Sequence, residues 1–213
     1  WGFAVRSSAT AEDGSTVSMA GLAESVLGVT EEEALLEAVK NVWASFASGR
    51  ALSYLASHGV RDLHMAVVIQ PMVQAVSAGV MFTKDWQEGG ACLINAGWGL
   101  GAPVVDGAMT PDVIRMNPAG DVVSHVIANK QQKRVVRAGE VVEEVAKDPT
   151  RSALSAANLR ELADVATKLE SHESIAWDVE FACDEARTWV VQARPATGRG
   201  FPEGGDAETI WSN

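Results

Sequence analysis

The sequence predicts an α+β fold: a mixed, mainly antiparallel sheet with helices packed on it. Short apolar, β-prone runs separated by turn residues recur along the chain. Two stretches, 30–59 and 159–171, carry apolar residues at helical spacing. Near the end, 175–197 alternates apolar and polar residues on either side of a polar turn, which is typical of a β-hairpin. Together these patterns favour antiparallel strands combined with two long helical regions.

The composition narrows the range of partners. The 213 residues include 17 lysines and arginines against 28 aspartates and glutamates, a net charge of −11. That balance argues against nucleic acid or an anionic membrane as a partner, although a few local cations and backbone amides can still hold an anionic ligand. Cys92 and Cys183 lie in apolar runs, which indicates buried free thiols of a cytoplasmic protein. No apolar run is long enough to span a membrane. The strand-like start at Trp1 leads us to expect a piece of a longer chain.

The first predicted strand, Phe3–Val5, leads directly into Arg6 and a run of small hydroxyl residues. Hydroxyls, exposed amides and an arginine at a strand end suit an anion, although serine-rich loops also serve only as turns. Farther along, Gly21 permits a positive φ or a close approach of the backbone to a ligand.

The first helical pattern begins with a predicted capping box, in which Thr30 is the N-cap and Glu33 reaches back to it. Apolar residues then recur at helical spacing to His58–Gly59, where we expect the helix to end. Gly49 weakens the middle of this pattern. Trp43 and Phe46 are assigned to the core.

Three further strands are predicted in the middle of the chain. Met65–Val73 reads as a buried strand, which Pro71 either places at a sheet edge or bends. The free backbone groups of an edge strand suit the edge of an adenine ring. Ser77–Thr83 and Ala91–Ala96 follow, and the latter opens into the glycine-rich loop Gly97–Gly101. Such a loop can bind phosphates through its amides, but this one matches neither the Walker A nor the dinucleotide pattern.

The next stretch predicts a hairpin from Pro111–Met116 and Val122–Ala128, and then a basic cluster. This cluster is either a solvated edge strand or a phosphate-binding element, and it consists of Lys130, Lys133, Arg134 and Arg137. An amphipathic helix is predicted to start within Pro149–Ser155 and to end near Ser171.

The final hairpin carries polar residues at a two-residue spacing: Asp178, Glu180, Gln192 and Arg194. If the register places them on one face, two carboxylates, an amide and a guanidinium converge there. Carboxylate and amide oxygens suit Mg²⁺, which usually shares them with phosphate oxygens, and an arginine beside the metal would bind phosphate. The alternative is a solvated outer face with an acid–arginine ion pair.

Five blocks together resemble the ATP-binding, ATP-grasp domain of the phosphoenolpyruvate synthase / pyruvate phosphate dikinase family. They are Val5–Asp13; Trp43–Phe46 with Arg50-Ala51; Gly79–Thr83; Gly99–Gly101 with Pro111-Asp112; and Asp178–Phe181 with Gln192–Pro195. The resemblance covers most of residues 3 to 197. It implies that 1–197 is an ATP-binding domain lacking its N-terminal subdomain, and that 198–213 is a linker and the start of the next domain.

The resemblance also implies a phosphotransferase that uses ATP and Mg²⁺. Arg6 and Arg194 would hold the phosphates, while Glu180 and Gln192 would bind Mg²⁺ with support from Asp178. Gly21 would lie over the phosphates, Thr83 would lie near them, and the remaining nucleotide contacts would come from Gln70, Met72, Val73, Gly99 and Gly101. Among these, Gln70, Met72 and Val73 would line the adenine.

In this family ATP delivers phosphoryl groups to a histidine on a separate domain and then to pyruvate or another acceptor. The implied partners are therefore other parts of the same polypeptide: the N-terminal subdomain, the acceptor domain and the phosphohistidine domain. None of the chain's histidines has that setting; they are His58, His64, His125 and His172. Alone, this stretch is expected to bind nucleotide poorly and to turn over nothing.

Ala102 stands where the family usually has glutamate, so one acidic contact in the nucleotide site is missing. Two alternatives stay open beside a phosphoenolpyruvate synthase-like enzyme (a pyruvate, water dikinase). The first is the ATP-binding domain of a rifampin-type antibiotic phosphotransferase. The second, which Ala102 favours, is a non-catalytic nucleotide sensor or scaffold.

Overall fold

The computed structural model describes residues 2–10, 24–59, 63–85 and 91–196. Within them the chain is mixed α+β with mainly antiparallel sheets, as predicted. It divides into two units, each described separately below. The first comprises residues 1–74 and 135–142, and the second comprises 75–134 and 143–213.

The first unit contains a three-stranded sheet with β1 (Phe3–Ala9) between β2 (Val26–Val29) and β3 (Met65–Pro71). Both pairings are antiparallel. Helices α1 (Glu32–Ser45) and α2 (Gly49–Ser57) follow β2. Apolar side chains from β1 and β2 pack with α1 in one cluster, and those from the end of β1 pack with α2 in another. The buried members are Val5, Val29, Ala38 and Val42 in the first cluster and Ala9, Phe46 and Leu55 in the second.

The start of α1 differs from the prediction. Its N-cap is Glu31, with an extended backbone (φ −104°, ψ 147°) and no side-chain cap hydrogen bond. The predicted capping box of Thr30 and Glu33 is therefore wrong, because the helix begins one residue later and the two side chains no longer hold N-cap and N3 positions. The predicted long helix is divided into two, because α1 ends at Ser45 and α2 begins at Gly49, the residue expected to weaken the middle of the pattern. α2 has its own N-cap, Ser48, whose hydroxyl accepts a hydrogen bond from the Ala51 amide at 3.3 Å.

Two core assignments in this region have opposite outcomes. Phe46 is buried, with 6% of its surface exposed, whereas Trp43 is 52% exposed, so its assignment to the core is wrong. Trp43 directly follows the fully buried Val42 on α1, and one residue turns the side chain about 100° around the helix. The helix ends as predicted near His58–Gly59, where Gly59 has a φ of +67°.

β3 is an edge strand among the described residues, which confirms one of the two placements allowed by Pro71. The expectation that it is buried is wrong, because its residues are all partly buried or exposed. Val68 and Ile69 are 44% and 46% exposed. A strand paired with only one neighbour has less of its surface covered than a central strand does.

The second unit is organised around a six-stranded sheet in the order β11-β10-β4-β5-β6-β7, and every adjacent pair is antiparallel. Its strands are β4 (Ser77–Asp85), β5 (Ala91–Trp98), β6 (Asp112–Met116), β7 (Val122–Val126), β10 (Trp177–Cys183) and β11 (Thr188–Pro195). The predicted strands of this region are thus confirmed, with ends that differ by a few residues. The short helix α3 (Ala102–Val105) follows the glycine-rich loop.

Helix α4 (Ala156–His172) packs against the six-stranded sheet, and its limits agree with the prediction. Ser155 caps it in a capping box with Asn158. The core beneath α4 includes Met81, Ile94, Ile114, Leu162, Val179 and Phe181. Cys92 and Cys183 are buried free thiols, as expected. Burial raises the pKa of Cys92 to about 12 and also raises the pKa of Cys183.

A two-stranded sheet is formed by β8 (Gln132–Arg137) and β9 (Glu140–Val145). Ala138 and Gly139 connect them with φ angles of 50° and 85°. Two consecutive positive φ angles are typical of a type I′ hairpin turn. Of the four helices α1–α4, none is long and apolar enough to cross a membrane.

Candidate functional site

The pairing of β10 with β11 brings the predicted polar set together. Asp178 lies opposite Arg194, and Glu180 lies opposite Gln192. Residues directly opposite each other in an antiparallel pair share a face of the sheet. The intervening residue Val179 is fully buried in the core on the other face. The register therefore meets the condition left open by the sequence, and the two polar pairs share one face.

Asp178 and Arg194 form an ion pair. Nε and Nη2 of Arg194 donate to Oδ2 of Asp178 at 3.0 and 2.8 Å. The side chains are only 12% and 25% exposed, so the pair is shielded from solvent. Asp178 Oδ1 is buried and has no hydrogen-bond partner among the described residues. A buried carboxylate oxygen without a donor is costly, and it marks a place where a further donor or cation would be favourable.

A β-bulge in β11 preserves this arrangement. Glu180 pairs with Gln192, but the next residue, Phe181, pairs with Val190, so Val191 is the extra residue. Without the bulge, either the Glu180–Gln192 pair or the tight turn at the hairpin end would shift by one position. The three consecutive apolar residues at 189–191 gave no signal of it in the sequence.

β4 connects the hairpin to the rest of the sheet. Phe82 and Val80 lie opposite Asp178 and Glu180. Thr83, predicted to lie near phosphates, is 3% exposed, and its hydroxyl accepts a hydrogen bond from the Trp177 amide at 3.0 Å. In the described chain this hydroxyl therefore holds the start of β10 against β4.

The glycine-rich loop is shaped by close packing. Gly99 has a φ of +79°, and a Cβ there would collide with the carbonyl oxygen of Arg134. The same oxygen accepts a hydrogen bond from the Leu100 amide at 2.8 Å. Gly101 is the N-cap of α3, where an added Cβ would lie 3.5 Å from the Ala78 side chain. The need for glycine at position 99 thus has a structural explanation that is independent of any ligand.

The basic cluster is largely neutralised by acidic partners. Lys130 is fully buried in an ion pair with Asp112, so the solvated interpretation is wrong for this residue. In this pair neither side chain has any exposed surface, and the Asp112 carboxylate also accepts a hydrogen bond from the Ala153 amide in the segment before α4. Lys133 and Arg134 are partly exposed and pair with Glu144 and Glu143 at 3.2 and 3.3 Å.

The residues predicted to contact adenine and one phosphate arginine belong to the first unit. Arg6 lies opposite Val68, and Gln70 lies opposite Ala4, so Arg6 and Gln70 share a sheet face. Val5, next to Arg6, points to the other face and packs with α1.

Met72 follows β3, where its amide donates to the Gly2 carbonyl at 3.1 Å and its Sδ accepts from the Gly28 amide at 3.0 Å. Val73 is partly buried beside it, and Gly21 lies outside the described residues.

Within the described ranges, no three His, Cys, Asp or Glu side chains cluster closely enough to form a metal site on their own. A divalent ion at the hairpin could take oxygens of Glu180 and Gln192 as protein ligands. This suits Mg²⁺, which is usually bound through one or two protein groups together with waters and substrate phosphates. The orphaned Asp178 oxygen and the oxygen-only donor set fit a magnesium–phosphate group.

Asn95 on β5 was missed by sequence reasoning. Its register places it opposite Val80, which in turn lies opposite Glu180, so Asn95 shares the face of the hairpin set. The one signal in the sequence was a single amide within an otherwise apolar strand run.

Known proteins resemble almost the whole chain. A Streptomyces rifampicin phosphotransferase is 36% identical over 202 residues, which is 92% of this chain and 23% of the relative. A probable phosphoenolpyruvate synthase of Archaeoglobus fulgidus is 34% identical, covering 91% of this chain and 27% of the relative. The phosphoenolpyruvate synthase of Pyrococcus furiosus is also 34% identical, with 91% and 26% covered. The chain thus spans about a quarter of the length of these curated relatives.

The family model "Pyruvate phosphate dikinase, AMP/ATP-binding domain" matches residues 2–210. The match includes both units and the whole of the final hairpin. The resemblance inferred from the five sequence blocks is therefore confirmed, and the chain belongs to the pyruvate phosphate dikinase AMP/ATP-binding domain family.

Proposed function

We propose that this chain is the Mg-ATP-binding part of a larger, phosphoenolpyruvate synthase-like phosphotransferase. In this proposal residues 1–197 form an ATP-grasp-type domain that lacks its N-terminal subdomain, and 198–213 lead into the next domain. The phosphoryl groups of ATP pass to a histidine on another domain and then to an acceptor such as pyruvate. The family match and the much greater length of the relatives support this reading.

The single observation that carries the proposal is the register of β10 and β11. It places the carboxylates, the amide and the guanidinium of the predicted set on one face, where one buried carboxylate oxygen has no donor in the part of the chain that the structure describes. Glu180 and Gln192 form a second pair on the same face, next to the ion pair of Asp178 and Arg194. That second pair offers the oxygen ligands that a metal bound to phosphates requires.

Each residue of the hairpin set has a proposed role. Asp178 orients the Arg194 guanidinium through two hydrogen bonds to Oδ2, and the guanidinium held in this way would bind a phosphate. Glu180 and Gln192 would hold Mg²⁺. When bound, Mg²⁺ would offset the negative charge that develops on the phosphate oxygens. The protein's own contribution is to position the phosphates and to keep the charged pair shielded from water.

In the first unit, Arg6 would hold a phosphate, and Gln70, Met72 and Val73 would line the adenine. The Met72 amide is held by the Gly2 carbonyl and the Met72 sulfur by the Gly28 amide, which would give a purine an ordered surface. Gly21 and Thr83 would lie near the phosphates, and Gly99 and Gly101 would contribute backbone amides.

A rifampicin-type phosphotransferase is the second candidate, and the 36% identity to the Streptomyces enzyme favours it. Both candidates use the same nucleotide chemistry and differ in the acceptor. Product analysis of the full polypeptide with Mg-ATP and either pyruvate or rifampicin separates them, because only the true acceptor becomes phosphorylated. Ala102 favours a non-catalytic sensor, in which case neither acceptor is phosphorylated although ATP still binds.

The test is calorimetric titration of the full polypeptide with Mg-ATP. Glu180→Ala removes a metal ligand and is expected to weaken binding by about tenfold or more, equivalent to about 1.4 kcal/mol. Glu185→Ala is the matched control, because Glu185 is an exposed acid in the turn of the same hairpin and lies away from the polar set. Equal affinities of the wild type and the Glu180→Ala variant for Mg-ATP would overturn the metal-binding role.

A further inference from the structure

Asn95 is a buried polar side chain whose amide is unsatisfied. Only 1% of the residue is exposed, and neither Nδ2 nor Oδ1 has a hydrogen-bond partner in the described part of the chain. Most buried side-chain amides in native proteins have such partners, because a lost hydrogen bond to water is otherwise not replaced. Asn158 is the ordinary case: its amide bonds to Ser155 and Thr188.

The register places Asn95 on the functional face of the sheet. Across the strands, Gln192, Glu180, Val80, Asn95 and Val113 lie opposite one another in a single row. The neighbours of Asn95 along β5 point to the other face, where Ile94 and Ala96 join the core beneath α4.

The two residues that flank Asn95 in this row cannot satisfy it. Val80 and Val113 have no polar side-chain atoms, and the backbone groups of β5 are used by the ladders to β4 and β6. An apolar residue of similar size would fit these neighbours without the cost of burying an amide. The asparagine therefore needs an explanation other than the packing of this sheet.

We propose that Asn95 is a further nucleotide-binding residue, whose Nδ2 donates a hydrogen bond to a phosphate oxygen of ATP. This rests on the proposed function of the hairpin. Glu180 and Asn95 are two strands apart, which separates their Cα atoms by about 10 Å. A metal-bound phosphate chain that starts at Glu180 and Gln192 and crosses over Val80 covers that distance. The χ2 torsion of asparagine is broad, so the enclosed amide can turn toward the ligand at little cost.

The proposal predicts opposite effects on stability and on binding. Asn95→Leu removes the unsatisfied amide with little change in volume, so the thermal midpoint of the ligand-free protein is expected to rise. The dissociation constant for Mg-ATP is expected to increase roughly tenfold because a donor to phosphate is lost. The affinity for adenosine, which has no phosphates, is expected to stay the same.

The experiment uses the full polypeptide, with thermal unfolding and calorimetry on the wild type, Asn95→Leu, Asn95→Ala and Asn158→Leu. Asn95→Ala covers the case in which leucine does not fit, and it should weaken Mg-ATP binding to a similar extent. Asn158→Leu is the matched control, because it removes an amide that has partners. This control should lower the thermal midpoint and leave the affinity for Mg-ATP unchanged.

Glu180→Ala, measured in parallel, separates this inference from the proposed function. If Glu180→Ala weakens Mg-ATP binding but both Asn95 variants bind like the wild type, the role of Asn95 is overturned and the function stands. If the wild type binds no Mg-ATP, or if Glu180→Ala has no effect, the proposed function fails and this inference fails with it. Lower stability of Asn95→Leu together with unchanged affinity would identify a purely structural asparagine.

Discussion

Asp184 fixes the turn between β10 and β11 through three hydrogen bonds. Its Oδ1 accepts from the amides of Ala186 and Arg187 at 2.7 and 2.8 Å, and its Oδ2 accepts from Nε1 of Trp189 at 2.7 Å. The Arg187 guanidinium stacks over the Trp189 ring at 4.4 Å. These hydrogen bonds, led by that from Trp189, lower the pKa of Asp184. The ionised carboxylate therefore stabilises the turn of the hairpin, and the strands of the same hairpin carry the candidate site.

We predict that the contribution of Asp184 to stability depends on pH. Because its pKa in the folded state is below the unfolded value of roughly 3.9, the contribution is complete above that value and is lost as the pH falls through the folded pKa. The difference in thermal midpoint between the wild type and Asp184→Asn should be largest near neutral pH and should shrink in strong acid. Glu185→Gln, which removes the neighbouring charge, is the control. A difference that does not change with pH would contradict the prediction.

Single residues show where a sequence pattern is sufficient and where it is not. The period-two alternation correctly put Asp178 with Glu180, and Gln192 with Arg194, on one side of their own strands, because a strand leaves a side chain only two directions. That the two pairs share one face is set by the register of the hairpin. The extra residue Val191 could not be foreseen, since a bulge depends on how two strands and their turn fit together. Trp43 was misplaced because a broad apolar stripe on a helix does not mark where the core ends.

At the scale of elements, a buried ion pair joins three segments of the second unit. Asp112 opens β6, where its carboxylate accepts hydrogen bonds from the amides of Ala128 and Ala153 at 2.8 and 2.7 Å and pairs with Lys130. The Lys130 ammonium also donates to the Ala128 carbonyl at 3.0 Å. The pair therefore connects β6 with the segment after β7 and with the segment that leads into α4.

We predict that Lys130→Met destabilises the fold by about 3–5 kcal/mol, because it leaves a buried carboxylate without its cation. The double variant Asp112→Asn/Lys130→Met should recover part of this loss, since asparagine is neutral and still offers an acceptor oxygen. Urea denaturation of the three proteins measures both effects.

Lys133→Met is the matched control for this comparison. Its ammonium pairs with Glu144, and both side chains are about 30% exposed, so the expected loss is about 0–1 kcal/mol. Equal losses of unfolding free energy for Lys130→Met and Lys133→Met would show that the buried ion pair contributes no more to stability than the partly exposed one. The double variant leaves no unpaired charge in the core. If Lys130→Met does not fold, recovery of a folded double variant would still show that the unpaired Asp112 carboxylate is the cause.

The elements were easier to predict than their partners. Most strand positions followed from apolar runs, and α4 followed from its periodicity, whereas β2 and β9 were not predicted. The basic cluster looked uniform in sequence, yet Lys130 is buried and Lys133 is not. What separates them is Asp112, which lies 18 positions before Lys130, and local patterns do not record such a pairing.

At the scale of the whole molecule, each of the two units has its own hydrophobic core. Val5 is fully buried in the first, and Ile114 is fully buried in the second. The sequence suggested one ATP-binding domain over 1–197, and that domain assignment stays a prediction. The division into units depends on contacts between distant strands, such as β4 with β10, which no local pattern specifies.

We predict that each core controls the hydrogen exchange of its own unit. Ile114→Ala, which should cost about 2–5 kcal/mol, is expected to speed amide exchange in β5 and β6 far more than in β1 and β3. Val5→Ala is the matched variant in the other core and should produce the opposite pattern. A loss of protection that is uniform across both units in either variant would show that they open together.

The short segment 135–142, which belongs to the first unit although its flanks belong to the second, has a consequence for biosynthesis. As the polypeptide leaves the ribosome, the first unit cannot be completed when residue 74 emerges. It has to wait until about seventy further residues have been translated and the turn at Ala138 has closed. A fragment that ends after residue 74 should therefore lack part of its own fold, whereas a fragment in which residues 135–142 are fused directly after residue 74 would contain both pieces of the unit.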